Sequence, residues 1–238
     1  MAIISFLSIS LFWKIPRGTL GELFNYMGFV FFTCMLQLAT SALGNVLMFI
    51  DERPLFLREQ AAKLYDVLPY CLAKDLAELP IIIMISLIFS LFYPGMAGDV
   101  TFVQFGNFYA IQFLVSLATG GFGQLAGCFF AQADMACFLM PMLILPFILF
   151  AGFLTNVDTF PDWISWFQYL SPIRYGFEAS LRNEFEHYHG LPINIPNPIK
   201  FLNFTLGFDK CMFYLFVTAM GIKFIAFMAL KFLIKKFQ

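Results

Sequence analysis

Apolar and polar positions along this chain fall into long blocks rather than alternating residue by residue. Apolar runs cover residues 23–50, 79–93, 102–130, 135–154 and 211–234, while Asp51 to Pro80, DERPLFLREQAAKLYDVLPYCLAKDLAELP, holds ten charged residues. Crossing a hydrocarbon layer of roughly 30 Å takes about 20 apolar residues at a rise of about 1.5 Å each. The pattern therefore predicts an all-α integral membrane protein with five complete spans arranged around one charged island. Residues 1–13 are apolar over too short a length to cross. A signal peptide there would need a basic leading segment and a small-residue cleavage site, and neither is present.

Within the island, Pro54 disfavours helical geometry at Arg53 and suits the first turn of a new helix, so the preceding span is expected to end near Glu52. A separate amphipathic helix should follow, with Leu57, Ala61, Leu64, Tyr65 and Leu68 on one face and Glu59, Lys63 and Asp66 on the other. Pro69 is expected to break it and Pro80 to open the next span. A polar loop with a solvated face is the alternative that pattern alone leaves open.

Elsewhere the interruptions of the apolar runs matter most. Gln37, Thr40, Ser41, Gly44 and Asn45 lie inside the second run, where polar groups either hold helices together or line a substrate path. Gly123-x-x-x-Gly127 permits close helix approach, Pro94 to Asp99 reads as a turn, and Asp134 is placed to cap the fifth span, in which Pro141 and Pro146 predict a kink. Residues 155–210 are too many for a simple connection. There, Trp163, Trp166, Phe167 and Leu170 recur at helical spacing and predict an amphipathic interfacial helix, followed after Ser171-Pro172 by a short helix over 173–185. Asn203-Phe204-Thr205 is a glycosylation acceptor pattern. Lys231, Lys235 and Lys236 close the last span and put that end in the cytosol by the positive-inside rule. Lys223 lies within the same span, as a structural ion-pair partner or a functional cation.

Composition sharpens this picture. Of 238 residues, 61% are hydrophobic and 12% charged, 34 are phenylalanine, and the mean hydropathy is +0.80, a combination no ordinary water-soluble domain shows. A formal charge of -1 argues against a nucleic-acid partner. The five cysteines lack C-x-x-C spacing and read as small core residues. No G-x-x-x-x-G-K-[ST] loop occurs, so no ATP site is expected in these residues. His187 and His189, with Glu184 and Glu186, form the one cluster with a metal-ligand look, but side chains at i and i+2 do not share a helix face, and no metal is expected.

The island also carries a resemblance. Glu52-Arg53-Pro54-Leu55-Phe56, Arg58-Glu59, Leu64-Tyr65, Tyr70, Lys74 and Leu76-Ala77-Glu78-Leu79-Pro80 resemble, in order and spacing, the signature of G-subfamily (White-type) ABC transporter membrane domains. Asn25 to Phe32 resembles the family's N-x-x-G-x-x-F-F, and Tyr169 to Ala179, with Asn183-Glu184-Phe185, its re-entrant segment. The resemblance implies an ABC-2 type helical bundle with a truncated first span, a cytosolic amphipathic helix and an external re-entrant helix pair. It further implies a half-transporter that pairs with a second copy or a related chain. ATP and Mg would be bound by a nucleotide-binding domain, N-terminal in the same polypeptide or on another chain, to drive export of lipids, sterols or other hydrophobic molecules across the plasma membrane or an intracellular one. Gln37, Thr40, Ser41, Ile144, Leu145 and Ile148 would line the substrate path, Phe153 and Leu154 would gate it, and Glu52, Arg53, Glu59, Tyr65 and Asp66 would couple it to the ATPase. Three departures qualify the match: Thr40 stands where some members carry a bulky aromatic, Asp66 where the family usually has a basic residue, and no cysteine lies between 138 and 210 for the family's external disulfide. A channel or membrane scaffold without an ATPase, and a membrane enzyme using His187 and His189, are the competing readings.

Overall fold

The computed structural model describes residues 19–91, 93–98, 100–130, 132–155, 161–186 and 197–237. The short apolar run at 1–13, His187 and His189 lie outside them. The described helices are α1 (Leu20–Ala61), α2 (Val67–Leu91), α3 (Tyr93–Ala97), α4 (Phe102–Phe129), α5 (Ala133–Leu149), α6 (Asp162–Ser165), a 3-10 turn (Trp166–Leu170), α7 (Pro172–Phe185), α8 (Pro198–Phe201) and α9 (Phe208–Phe237). No strand occurs among the described residues, and the bundle is that of an all-α polytopic membrane domain.

α1, α2, α4 and α9 are long and apolar enough to cross a membrane, whereas α5 has 17 residues and ends at Leu149, five short of expectation. At about 1.5 Å per residue α5 spans roughly 26 Å. α4 is the central helix, packed along α1 and α9 and also touching α2 and α7. Its glycines set the closest contact. A Cβ at Gly123 would lie 2.4 Å from the Ala42 carbonyl, and one at Gly127 would lie 2.7 Å from the Phe49 ring, so α1 and α4 meet backbone to backbone. Because Gln37 meets Ser116, Ala42 meets Gly123 and Phe49 meets Gly127, the two run parallel and end on the same side of the bundle. Both helices start with capping boxes, Thr19 with Glu22 and Thr101 with Gln104, which satisfy orphan amides at their first turns.

Four sequence expectations about the island are corrected. α1 does not stop at Glu52 but continues through Pro54 to Ala61. Phe49 and Phe56, on either side of the proline, belong to one buried cluster with Cys128 and Leu230, and that packing keeps the helix continuous through a lost backbone hydrogen bond. The predicted amphipathic helix over Leu57 to Leu68 is instead broken at Ala62 to Asp66, where Lys63 adopts a left-handed φ of 54°. Its buried face is Phe56 and Gln60, and Leu64 and Leu68 are exposed. Pro69 falls in the first turn of α2, where a missing N–H costs nothing, and Pro80 lies inside α2 rather than at its start.

Smaller corrections concern ends. Gln132 precedes α5, with no side-chain cap, and Asp134 sits inside the first turn, where it favours the helix dipole without capping. Pro94 to Ala97 are helical rather than a plain turn, with Gly98 at φ 78° ending α3. The Trp163 to Leu170 stretch is a short helix followed by a 3-10 turn, with Trp163 and Trp166 exposed and Phe167 packed on Phe147 and Phe150.

Candidate functional site

Where α1, α4 and α9 end and α2 begins, charged side chains converge inside the bundle. Lys74 and Glu78 are four residues apart on α2 and so share a face, with Asp75 beside them, while Leu72 and Leu76 point away and are exposed. Lys74 donates to the Glu52 carboxylate of α1 and lies 3.8 Å from Glu78. Tyr70 donates to the same Glu52 at 3.4 Å. Gln124 of α4 donates to both Asp75 and Glu78, at 3.1 and 3.0 Å, and Lys223 of α9 donates to Asp75 at 2.5 Å. A continuous polar chain therefore runs from Glu52 through Lys74, Glu78, Gln124 and Asp75 to Lys223, touching all four long helices. Three carboxylates face two ammonium groups in it. A cavity of about 250 Å³ adjoins the chain, walled by Phe49, Cys71, Phe227 and Leu230, and the Lys74 ammonium lies 5.6 Å from the Phe49 ring centre. Removing one charged member leaves its partner less well paired, at a cost of up to about 3–5 kcal/mol where that partner is fully buried and less where it is partly exposed, as Asp75 and Glu52 are, whereas the intact network contributes far less net stability. Such a network holds helices in register more than it stabilises them.

The turn joining α1 to α2 is built on aromatic stacking. Tyr70 packs on Phe56 at 4.1 Å and on Tyr65 at 6.1 Å, and Gln60 donates its amide to the Tyr65 carbonyl at 2.8 Å. Tyr65 donates to Glu59 at 2.5 Å. Burial of the phenol and the adjoining Glu59 carboxylate push the Tyr65 hydroxyl up to about 12, so it remains a donor throughout the physiological range. Asp66 is exposed at the outside of this turn. Arg53 faces away from Lys74 and donates to the Phe130 carbonyl at 3.0 Å.

The expected path residues divide. Gln37 is fully buried and donates to Ser116 and, at 3.4 Å, to Ser86, which joins α1, α2 and α4. Ser41 is buried on the same helix, and the Thr40 hydroxyl donates to the Gln37 carbonyl at 3.1 Å. An apolar groove of about 290 Å³ opens beside them between α1, α4 and α5, lined by Leu38, Ala42, Phe122, Met140, Ile144 and Phe147 among others. Ile144 is the one expected path residue in its wall; Ile148 is buried and Leu145 exposed. Of the expected gate pair, Phe153 packs within the chain on Phe31 at 4.9 Å and Phe177 at 5.7 Å, and Leu154 is exposed.

At the opposite end of the bundle α7 is buried along almost its whole length despite four charges. Glu178 accepts from the Leu206 amide at 2.8 Å and from Arg182 at 3.4 Å, Arg182 also donates to the Phe204 carbonyl at 3.1 Å, and Tyr93 donates to Glu184. These bonds tie α7 to the segment before α9 and to α3. Asn203, with a φ of 53°, lies exposed in the turn after α8.

Sequence reasoning marked Glu52 and Lys223 but did not connect them, and it gave no role to Asp75 or Gln124. The available signal was the coincidence of Lys74 and Glu78 at i and i+4 with Gln124 and Lys223, long polar side chains inside predominantly apolar runs. Among the described residues no His, Cys, Asp and Glu group is arranged to hold a metal.

Residues 1–185 match the family described as ABC-2 type transporter. Protein white of Drosophila melanogaster is 32% identical over 161 residues, which is 67% of this chain and 23% of the relative. ABC transporter ATP-binding protein/permease wht-1 of Caenorhabditis elegans is 30% identical over 175 residues, 72% of this chain and 25% of the relative. ABC transporter G family member 2 of Dictyostelium discoideum is 29% identical over 168 residues, 70% of this chain and 12% of the relative. The chain thus spans a quarter or less of the length of these relatives.

Proposed function

Because the chain belongs to the ABC-2 type transporter family, we propose that it is the membrane-embedded part of an ATP-driven exporter of lipids, sterols or other hydrophobic molecules. ATP and Mg are bound by a nucleotide-binding domain, as the name of the wht-1 relative, an ATP-binding protein/permease, suggests. A second copy or a related half-transporter completes the substrate path, along the exposed apolar face of α5 that carries Phe138, Met142 and Leu145. The end of α9 with Lys231 faces the cytosol, and with it the charged junction.

The observation that carries this reading is the continuity of α1. One unbroken helix of 42 residues, about 63 Å at 1.5 Å per residue, bears Glu52 at the polar junction and Leu38 and Ala42 in the apolar groove. Displacement of the junction by an ATPase domain is therefore transmitted along a rigid element to the groove. The test is reconstitution of the full transporter in vesicles with a fluorescent phospholipid or sterol. ATP-dependent movement supports the reading, and nucleotide-independent flux from a folded, ATPase-competent assembly would replace it with that of a channel.

A further inference from the structure

A second groove, of about 640 Å³, opens between α4 and α9 at the junction end of the bundle. Its walls are Leu125, Cys128 and Phe129 of α4 and Ile225, Met228 and Phe232 of α9, and its one charged lining residue is Arg53 of α1. Phe129, Ile225 and Phe232 are all exposed, so the walls open outward to the surface that meets lipid in a membrane-spanning bundle. Arg53 is placed unlike the other cations of the junction. Lys74 and Lys223 are neutralised by Glu52 and Asp75, whereas the guanidinium of Arg53 donates to a neutral backbone carbonyl and forms no ion pair with a carboxylate among the described residues. An unneutralised, partly buried cation at the end of an apolar trough complements an amphiphile with an anionic head and acyl tails.

We propose that this groove holds one acidic phospholipid, its phosphate on the Arg53 guanidinium and an acyl chain along the α4 and α9 walls. The site shares no lining residue with the polar cavity at Asp75 and needs no second copy to complete it. It is a resident lipid site and is independent of which molecule is exported. The depth is appropriate, because Arg53 stands level with the last turn of α4, with its guanidinium on the Phe130 carbonyl, near a helix end where long cationic side chains extend towards lipid phosphates.

The test uses the full chain purified in a neutral detergent and offered equal amounts of phosphatidylglycerol and phosphatidylcholine, with retained lipid counted by native mass spectrometry. Wild-type protein should retain phosphatidylglycerol in about fivefold preference. Arg53→Gln, which keeps an amide donor for the Phe130 carbonyl, should abolish the preference. Ile225→Trp, at an exposed wall position, should also abolish it by filling the groove with Arg53 intact. No preference in the wild type overturns the proposal, as does a preference undiminished in either variant; retention in Ile225→Trp alone would mean that Arg53 attracts headgroups at the surface with no groove involved.

Discussion

Lys223 of α9 and Asp75 of α2, 148 positions apart, form an ion pair at 2.5 Å inside the bundle, and Gln124 of α4 donates to the same carboxylate. A lone lysine in an apolar span is thereby explained as one end of a polar chain linking four helices. Lys223→Met should leave Asp75 with only Gln124, lowering stability by about 2–3 kcal/mol, reduced from the fully buried value because Asp75 is partly exposed. Lys223→Met combined with Asp75→Leu should recover most of the loss. Unfolding of the two single variants and the double variant in detergent gives the coupling energy directly.

The α1 to α4 contact predicts opposite outcomes at two glycines. Gly123→Ala places a methyl group against the Ala42 carbonyl and should cost more than about 2 kcal/mol through forced separation of the helices. Gly44→Ala, with nothing within 4 Å, should be neutral or gain up to about 1 kcal/mol from helix propensity. Thermal aggregation midpoints of the two variants, compared with wild type, check both.

Coupling should depend on Glu52 and Asp66 for different reasons. Glu52→Ala takes from Lys74 its closest partner, leaving Glu78 at 3.8 Å, and frees α1 from α2 at the junction. Substrate moved per ATP in reconstituted vesicles should fall while dimerisation is retained. Asp66→Arg reverses an exposed charge at the α1 to α2 turn and should weaken association with the native ATPase surface by about 1 kcal/mol or more. Unchanged transport ratios in both variants would reduce the turn to a solvated loop.

Phe153 and Leu154 should separate packing from gating. Phe153→Ala removes ring contacts with Phe31 and Phe177 and should destabilise the fold by about 2 kcal/mol or more. Leu154→Ala, at an exposed position, should leave the melting temperature unchanged and alter export. Equal losses of folded protein in both would make Leu154 ordinary core.

Asn203→Gln reports orientation. If the turn after α8 faces outward from the cytosol, the wild-type chain should carry an endoglycosidase-sensitive gel shift that the variant lacks. A site for the same reporter appended after Gln238 should stay unmodified.

Much of the architecture was legible from hydropathy alone. Residues 23–50 and 211–234 each lie within a single long helix, 102–130 forms α4 apart from its last residue, and 173–185 forms α7 with one residue added, because an apolar block of that length has few alternatives to a helix. The position of the charged island and the family resemblance were equally local properties. The fate of Pro54 and Pro80 was not. Whether a helix survives a proline depends on what clamps it on both sides, and Phe49 and Phe56 are clamped by Cys128 and Leu230, residues far along the chain. The role of Gln37 was undecided for the same reason, since a polar residue in a span serves packing when its neighbours are Ser86 and Ser116 and faces a cavity when they are not. Sequence supplied which groups are charged and which segments are apolar; only the arrangement of four helices around α4 decided that Glu52, Lys74, Asp75 and Lys223 neutralise one another while Arg53 pairs with no carboxylate among the described residues, because the energy of a buried charge is set by partners within a few ångströms, whatever their distance along the chain.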